Sequence, residues 1–225
     1  GGPHSYLCQM LAPEHVRRNY DEFEKQGIEI EGSYLDVYSV VAPDQCFSPE
    51  HRMTRRDSAD KRNECFEILN GRGIIPSSEE AVDASLTSIA LCHHAPYFIE
   101  PLSDSKNGKS VGVNIPLFNL VYHDCIVIPW DGALGTGHGG WGCPCDEWNY
   151  LHALINGGTV YVSPEADAQS LERVKTATEL HGRVGMLEMT KHEFLGSYKK
   201  QKTTFADGTE VTVDLENDSY EIKYA

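Results

Sequence analysis

No stretch of this sequence approaches the ~18 consecutive apolar residues of a membrane-crossing helix, so no membrane partner is expected. Basic residues are scarce: 19 Lys and Arg stand against 34 Asp and Glu, a net charge of −15. Nucleic-acid phosphates demand a basic surface, which argues against nucleic acid as a partner. The acid excess reads as a solvated surface and points to no partner of its own. No secretory leader is visible. The chain starts Gly1-Gly2-Pro3-His4 without a methionine and reads as a fragment or a processed product.

Several chemistries lack their signatures. There is no Gly-x-Ser-x-Gly nucleophile elbow, and no local pattern supports a Cys–His hydrolase. Residues 131–143 hold six glycines with His138 and Trp141, yet no Gly-Lys-Ser/Thr closes them and no dinucleotide spacing follows a strand. The seven cysteines are odd in number and irregular in spacing, unlike a secreted disulfide framework, which favours the cytoplasm. Cys143-Pro144-Cys145 is one residue short of a Cys-x-x-Cys pair and has no second pair. No metal and no cofactor are therefore expected.

What is present is a chain that is 40% hydrophobic, enough for a buried core. Val16, Tyr20 and Phe23 recur at helical spacing over 14–26, with Gly27 as a stop. Residues 28–38 read as a strand. Thr54 opens a helix to about Leu69, with Asp57 three residues on as a capping-box echo. A second strand follows over 74–78. Strand, helix and strand with short joints form a βαβ unit. The region 81–110 is ambiguous, with a weak helical pattern over 82–92. The apolar run 113–130 reads as a strand interrupted by His123-Asp124. Helices are expected over 146–155 and from Ser163-Pro164 to about Val184, with a short strand at 159–162. Beyond residue 195 the chain turns all-β, with an Asp207-Gly208 hairpin. The expected organisation is α/β: residues 1–195 as a partial (β/α) TIM-type barrel, then 196–225 as the start of a small antiparallel β domain.

Both early strands end in carboxylates. Asp36 lies among Tyr34, Leu35, Val37 and Tyr38, and a carboxylate so flanked is costly unless at an edge, paired or functional. Glu79 and Glu80 close the second strand and, being adjacent, point to opposite sides, so at most one shares a site with Asp36. Loops at the carboxyl ends of parallel strands carry chemistry, and two such carboxylates are what glycoside hydrolysis needs. Tyr122, His123 and Asp124 offer groups for sugar hydroxyls, while Tyr34 and Trp130 offer aromatic surface. A buried structural His–Asp pair is the plain alternative for His123 and Asp124.

On Tyr34-Leu35-Asp36-Val37, Ser77-Ser78-Glu79-Glu80, the segment from Pro116 to Asp124 and the tail from Thr204 to Val213, the chain resembles the carboxyl-terminal half of the catalytic barrel in glycoside hydrolase family 129 and its relative family 101, the α-N-acetylgalactosaminidases. The resemblance implies a retaining mechanism, with Asp36 as nucleophile and Glu79 as acid/base, Glu80 remaining the alternative. It implies a carbohydrate substrate, with Glu80, Tyr122, His123, Asp124, Trp130 and Tyr34 as binding residues. It also implies that further barrel strands come from a longer chain. Two rival readings stand beside it. One is a non-catalytic carbohydrate-binding or scaffold module whose carboxylates are salt-bridged, with Arg52, Arg55 and Arg56 as candidate partners. The other is a metal-dependent hydrolase using His93, His94, His123 and Asp124.

Overall fold

The computed structural model describes residues 7–80, 82–94, 115–130, 149–162 and 164–225. The glycine-rich stretch, Cys143-Pro144-Cys145, Trp141, Trp148 and Ser163 lie outside the described residues. The chain is mixed α/β, with a three-stranded sheet containing a parallel pair and a four-stranded antiparallel sheet. It divides into two compact units, Gly1–Leu91 and Cys92–Ala225.

In the first unit, a short 3-10 turn (Gln9–Leu11) leads into helix α1 (Ala12–Lys25), with Pro13 in its opening turn, where a missing N–H costs nothing. Gly27, at φ 71°, turns the chain out of the helix. Strand β1 (Gly32–Tyr34) is shorter than the expected 28–38, because the backbone breaks into a turn at Asp36. Helix α2 (Arg55–Gly71) starts at a complete capping box: Asp57 accepts from the Thr54 N–H at 2.8 Å, and the Asp57 N–H returns to Thr54 Oγ1 at 3.2 Å. Strand β2 (Ile75–Glu80) runs parallel to β1, pairing Gly32 with Ile75, Ser33 with Pro76 and Tyr34 with Ser77. Strand β3 (Leu91–His94) begins at the last residue of this unit, where a weak helical pattern over 82–92 is expected from sequence.

One face of the β1–β2 ladder packs on the helices. Ala12, Val16 and Tyr20 of α1 and Cys65 and Leu69 of α2 form the core with Ile74, and Leu35 and Tyr38 pack against it. Ser33, on the same face as Leu35, meets the Tyr20 hydroxyl. Burial pushes the Tyr38 hydroxyl and the Cys65 thiol each up to about 12, so both stay neutral. The other face, with Tyr34 and Ile75, is exposed.

The second unit contains helices α3 (Leu117–Tyr122), α4 (Asn149–Ile155) and α5 (Ala168–Val184), then strands β4 (Met189–Phe194), β5 (Lys200–Phe205), β6 (Glu210–Asp214) and β7 (Ser219–Lys223) in an antiparallel meander. The sheet opens at Met189, ahead of the expected boundary near 195. Its inward residues Phe205, Val211, Val213 and Leu215 pack on Leu151, Leu154 and Ile155 of α4 and on Ala177, Leu180 and Val184 of α5. The Asp207-Gly208 turn forms as expected, with Gly208 at φ 93° and Asp207 accepting from the Thr209 N–H at 2.8 Å. Within the apolar run, where a strand is expected, residues 117–122 fold as α3 and the strand-like pairing is confined to its end: the Val127 carbonyl accepts from the Cys92 N–H at 3.1 Å, and Trp130 bridges Val160 in parallel. Helix α5 starts at the Asp167 cap rather than at Ser163-Pro164, Asp167 accepting from the Ser170 N–H at 2.7 Å.

Candidate active site

Four of the residues singled out from sequence stand at one end of the β1–β2 ladder: Tyr34, Asp36, Glu79 and Glu80. The ladder persists past Tyr34, since the Leu35 N–H donates to the Ser77 carbonyl at 2.9 Å. Glu79 lies two residues beyond Ser77 within β2, and Asp36 lies two residues beyond Tyr34 in the turn that ends β1. Neighbouring strands run about 4.8 Å apart. Alternation places Glu79 on the open face with Ser77, and Glu80 on the face with the buried Pro76 and Ser78.

The turn that carries Asp36 is stitched to β2 by serines. Ser78 Oγ donates to the Leu35 carbonyl at 2.7 Å and faces the Ser39 N–H at 3.2 Å, while the Glu80 N–H reaches Ser39 Oγ at 3.2 Å. Within the turn Val37 sits at φ 55°, a left-handed conformation that is strained for a β-branched residue. Such strain persists only where the surroundings over-determine it, here through the Val41 N–H to Val37 carbonyl bond and the packing of Tyr38 on Phe66.

The electrostatics separate the three acids. Asp36 is exposed and forms no ion pair among the described residues. Arg56, a candidate partner for it, instead holds Asp60 at 3.0 Å. Glu79 is half-buried, and its Oε2 is enclosed without a hydrogen-bond partner among the described residues. Burial, and then the charge on Glu79, hold the Glu80 carboxyl above the usual carboxylate range.

The remaining predicted residues belong to the second unit. Tyr122 ends α3, half-buried against Phe118. His123 caps that helix and is buried, its Nδ1 at 2.6 Å from the Leu187 carbonyl. Burial holds this imidazole below its ordinary value despite backbone acceptors at Leu187 and Asn156. Asp124 is half-buried and takes the Cys125 thiol at 3.4 Å. Trp130 is 2% exposed, and a Cβ on Gly158 would lie 2.4 Å from its ring, so glycine there is a packing requirement. His93 stacks on Tyr161 with ring centres 5.8 Å apart.

Sequence reasoning missed the strained Val37 and the serine stitching, because neither leaves a motif. It also missed a group formed by Cys8, Cys46 and His51, whose donor atoms lie within 4.8 Å of one another. The short Cys46-x4-His51 spacing was the available signal.

No family model matches the chain, and no curated protein matches it. Solved structures do. The chain is similar to the α-N-acetylgalactosaminidase NagBb from Bifidobacterium bifidum in its GalNAc complex, at 39% identity and a TM-score of 0.85 over 99% of this chain. A quadruple mutant of that enzyme gives 40% identity and a TM-score of 0.84, and its Gal-NHAc-DNJ complex 38% and 0.85. The chain spans 35–36% of the length of those structures.

Proposed function

We propose that this chain carries the catalytic carboxylate pair of a retaining glycoside hydrolase acting on α-glycosides, with α-N-acetylgalactosaminides as the substrate class. The observation that supports the reading is the parallel pairing of β1 and β2: the carboxyl end of β1 leads into the turn that carries Asp36, and the carboxyl end of β2 carries Glu79. A retaining mechanism requires roughly 5–5.5 Å between the two carboxyl groups, against ~6.5–9.5 Å for an inverting one. The likeness to an α-N-acetylgalactosaminidase over 99% of the chain supports the substrate class. On this reading β1, α2 and β2 form part of a (β/α) barrel, and the proposal concerns the share of the site that these residues carry.

Asp36 attacks the anomeric carbon as the bond to the leaving oxygen breaks, and the Glu79 proton passes to that oxygen. The resulting glycosyl ester on Asp36 is then opened by water. Glu79, now a carboxylate, takes the water proton as the water oxygen bonds to the anomeric carbon and Asp36 leaves. An acid/base needs a desolvated carboxyl that is not committed to a structural partner, which fits the enclosed, unpartnered Oε2 of Glu79. Glu80 faces the helix side, and the proposal leaves it out of the reacting pair.

The test is turnover of aryl α-N-acetylgalactosaminides, with the first-formed product anomer followed by NMR. The expected product retains the α configuration. Asp36→Ala is expected to lose turnover, and Glu79→Gln to lose far more on a poor leaving group than on an activated aryl one. Parental rates in both variants, or a first-formed β product, would overturn the assignment.

A further inference from the structure

A second group of reactive side chains lies in the first unit, apart from the ladder end in sequence. Cys8 precedes the 3-10 turn that feeds α1. Cys46 and Met53 exchange two backbone hydrogen bonds of 2.9 Å, closing the loop between them. That closure folds His51 back onto Cys46, with Nδ1 3.2 Å from Sγ. The Cys8 thiol lies 3.9 Å from the His51 carbonyl, so both cysteines meet the same histidine. The two sulfurs and one imidazole nitrogen fall within 4.8 Å of one another, and all three residues are half-buried.

We infer that Cys8, Cys46 and His51 form a zinc site with three protein ligands and a fourth position for water. Tetrahedral coordination with zinc–sulfur bonds near 2.3 Å and zinc–nitrogen bonds of about 2.0–2.1 Å places donors roughly 3.3–3.8 Å apart. The observed group needs little contraction to reach that geometry. Two thiolates and an imidazole are a soft donor set, which selects zinc over calcium or magnesium, both of which prefer oxygen. The Cys46–Met53 bridge is already formed by backbone bonds, so the loop supplies two donors pre-arranged and only Cys8 closes the set.

The consequence is structural. The ion would tie the segment entering α1 to the loop entering α2, the two helices that back the β1–β2 ladder.

The experiment is metal analysis of the reduced, purified protein, paired with cobalt(II) titration. One zinc per chain is expected, and Cys8→Ser, Cys46→Ser and His51→Ala should each weaken zinc binding by tenfold or more. Cobalt should give a thiolate charge-transfer band that loses about half its intensity in either cysteine variant. Chelation should lower the thermal midpoint of the parent protein, a readout that needs no variant to fold. Failure of the reduced, folded protein to take up zinc or cobalt at stoichiometric concentration would overturn the site. So would recovery of Cys8 and Cys46 joined as a disulfide in the purified protein.

Discussion

The two sheets of this chain are built on opposite terms. The antiparallel sheet alternates cleanly: Gln201, Thr203, Phe205, Val211 and Val213 point inward and are buried, while their neighbours face out. Two helices seal its inner face. The parallel ladder has three register pairs, leaves Tyr34 39% and Ile75 58% exposed on its open face, and is followed by a strained valine. Both regions contain buried polar atoms without partners among the described residues. In the antiparallel sheet these belong to neutral groups, Gln201 Oε1 and His192 Nε2, the latter held below its ordinary pKa by burial. In the ladder the atom is a carboxylate oxygen of Glu79. A neutral orphan costs about 1–3 kcal/mol and a charged one more. The sealed antiparallel sheet is expected to carry the greater share of stability, while the ladder leaves a Glu79 oxygen without a partner among the described residues.

That contrast can be broken by experiment. The largest effect is expected from Asp36→Ala: activity should fall on the order of 10³-fold or more, while stability stays within roughly 0.5 kcal/mol because the side chain is exposed and unpaired among the described residues. Coupled loss of folding, read by thermal denaturation, would mean that the ladder end is structural after all. Next is Phe205→Ala, expected to cost about 3–5 kcal/mol in denaturant unfolding because the ring is 1% exposed at the centre of the antiparallel core. A cost under about 1 kcal/mol would remove the claim that this sheet carries the stability. Thr54→Ala should cost about 1 kcal/mol by removing the α2 cap, without touching the second sheet.

Acid sharpens the comparison further. His123 and His192 both have folded pKa values depressed by burial below the ordinary 6.5. Their neutral forms suit the fold, so their contribution is fully present above about pH 6.5 and is lost as pH falls through the depressed folded values. Denaturation followed from pH 7.5 downward should show the second unit weakening in that window, and His192→Gln should flatten the slope. The smallest effect is expected for Val37→Gly. Relief of the positive φ, offset by glycine's backbone freedom, should raise stability by at most about 1 kcal/mol. The same change should reduce turnover by loosening the turn beside Asp36.

Much of this was readable in the sequence where local chemistry dictates local structure. The Thr54–Asp57 capping box and the Asp207-Gly208 hairpin depend on neighbouring residues and formed as read. What failed depended on partners distant in sequence. Leu117 to Tyr122 is too short an apolar run for periodicity to separate helix from strand. Its helical form buries Asn119, which donates to Asn156 Oδ1 at 2.6 Å, a contact 37 residues away. The start of α5 was misplaced because Ser163-Pro164 and Asp167 are both plausible caps and only one is used. The Cys8–Cys46–His51 group was missed because Cys8 precedes the histidine by 43 positions, leaving only the Cys46–His51 spacing as a local signal. At the ladder end, adjacency in the sequence already put Glu79 and Glu80 on opposite faces; what it could not show was the burial that encloses Glu79 Oε2 and raises the Glu80 carboxyl.

The Ser78 hydroxyl has one further consequence. It gives its proton to the carbonyl of Leu35 and accepts from the N–H of Ser39, so a single oxygen gauges the span of chain between those two residues. Surface turns ordinarily tolerate inserted or deleted residues. This one does not have that freedom: one residue more or fewer between Leu35 and Ser39 would unseat one end of the gauge and displace Asp36. In a lineage descended from this fold, the turn is expected to vary in composition and hold its length.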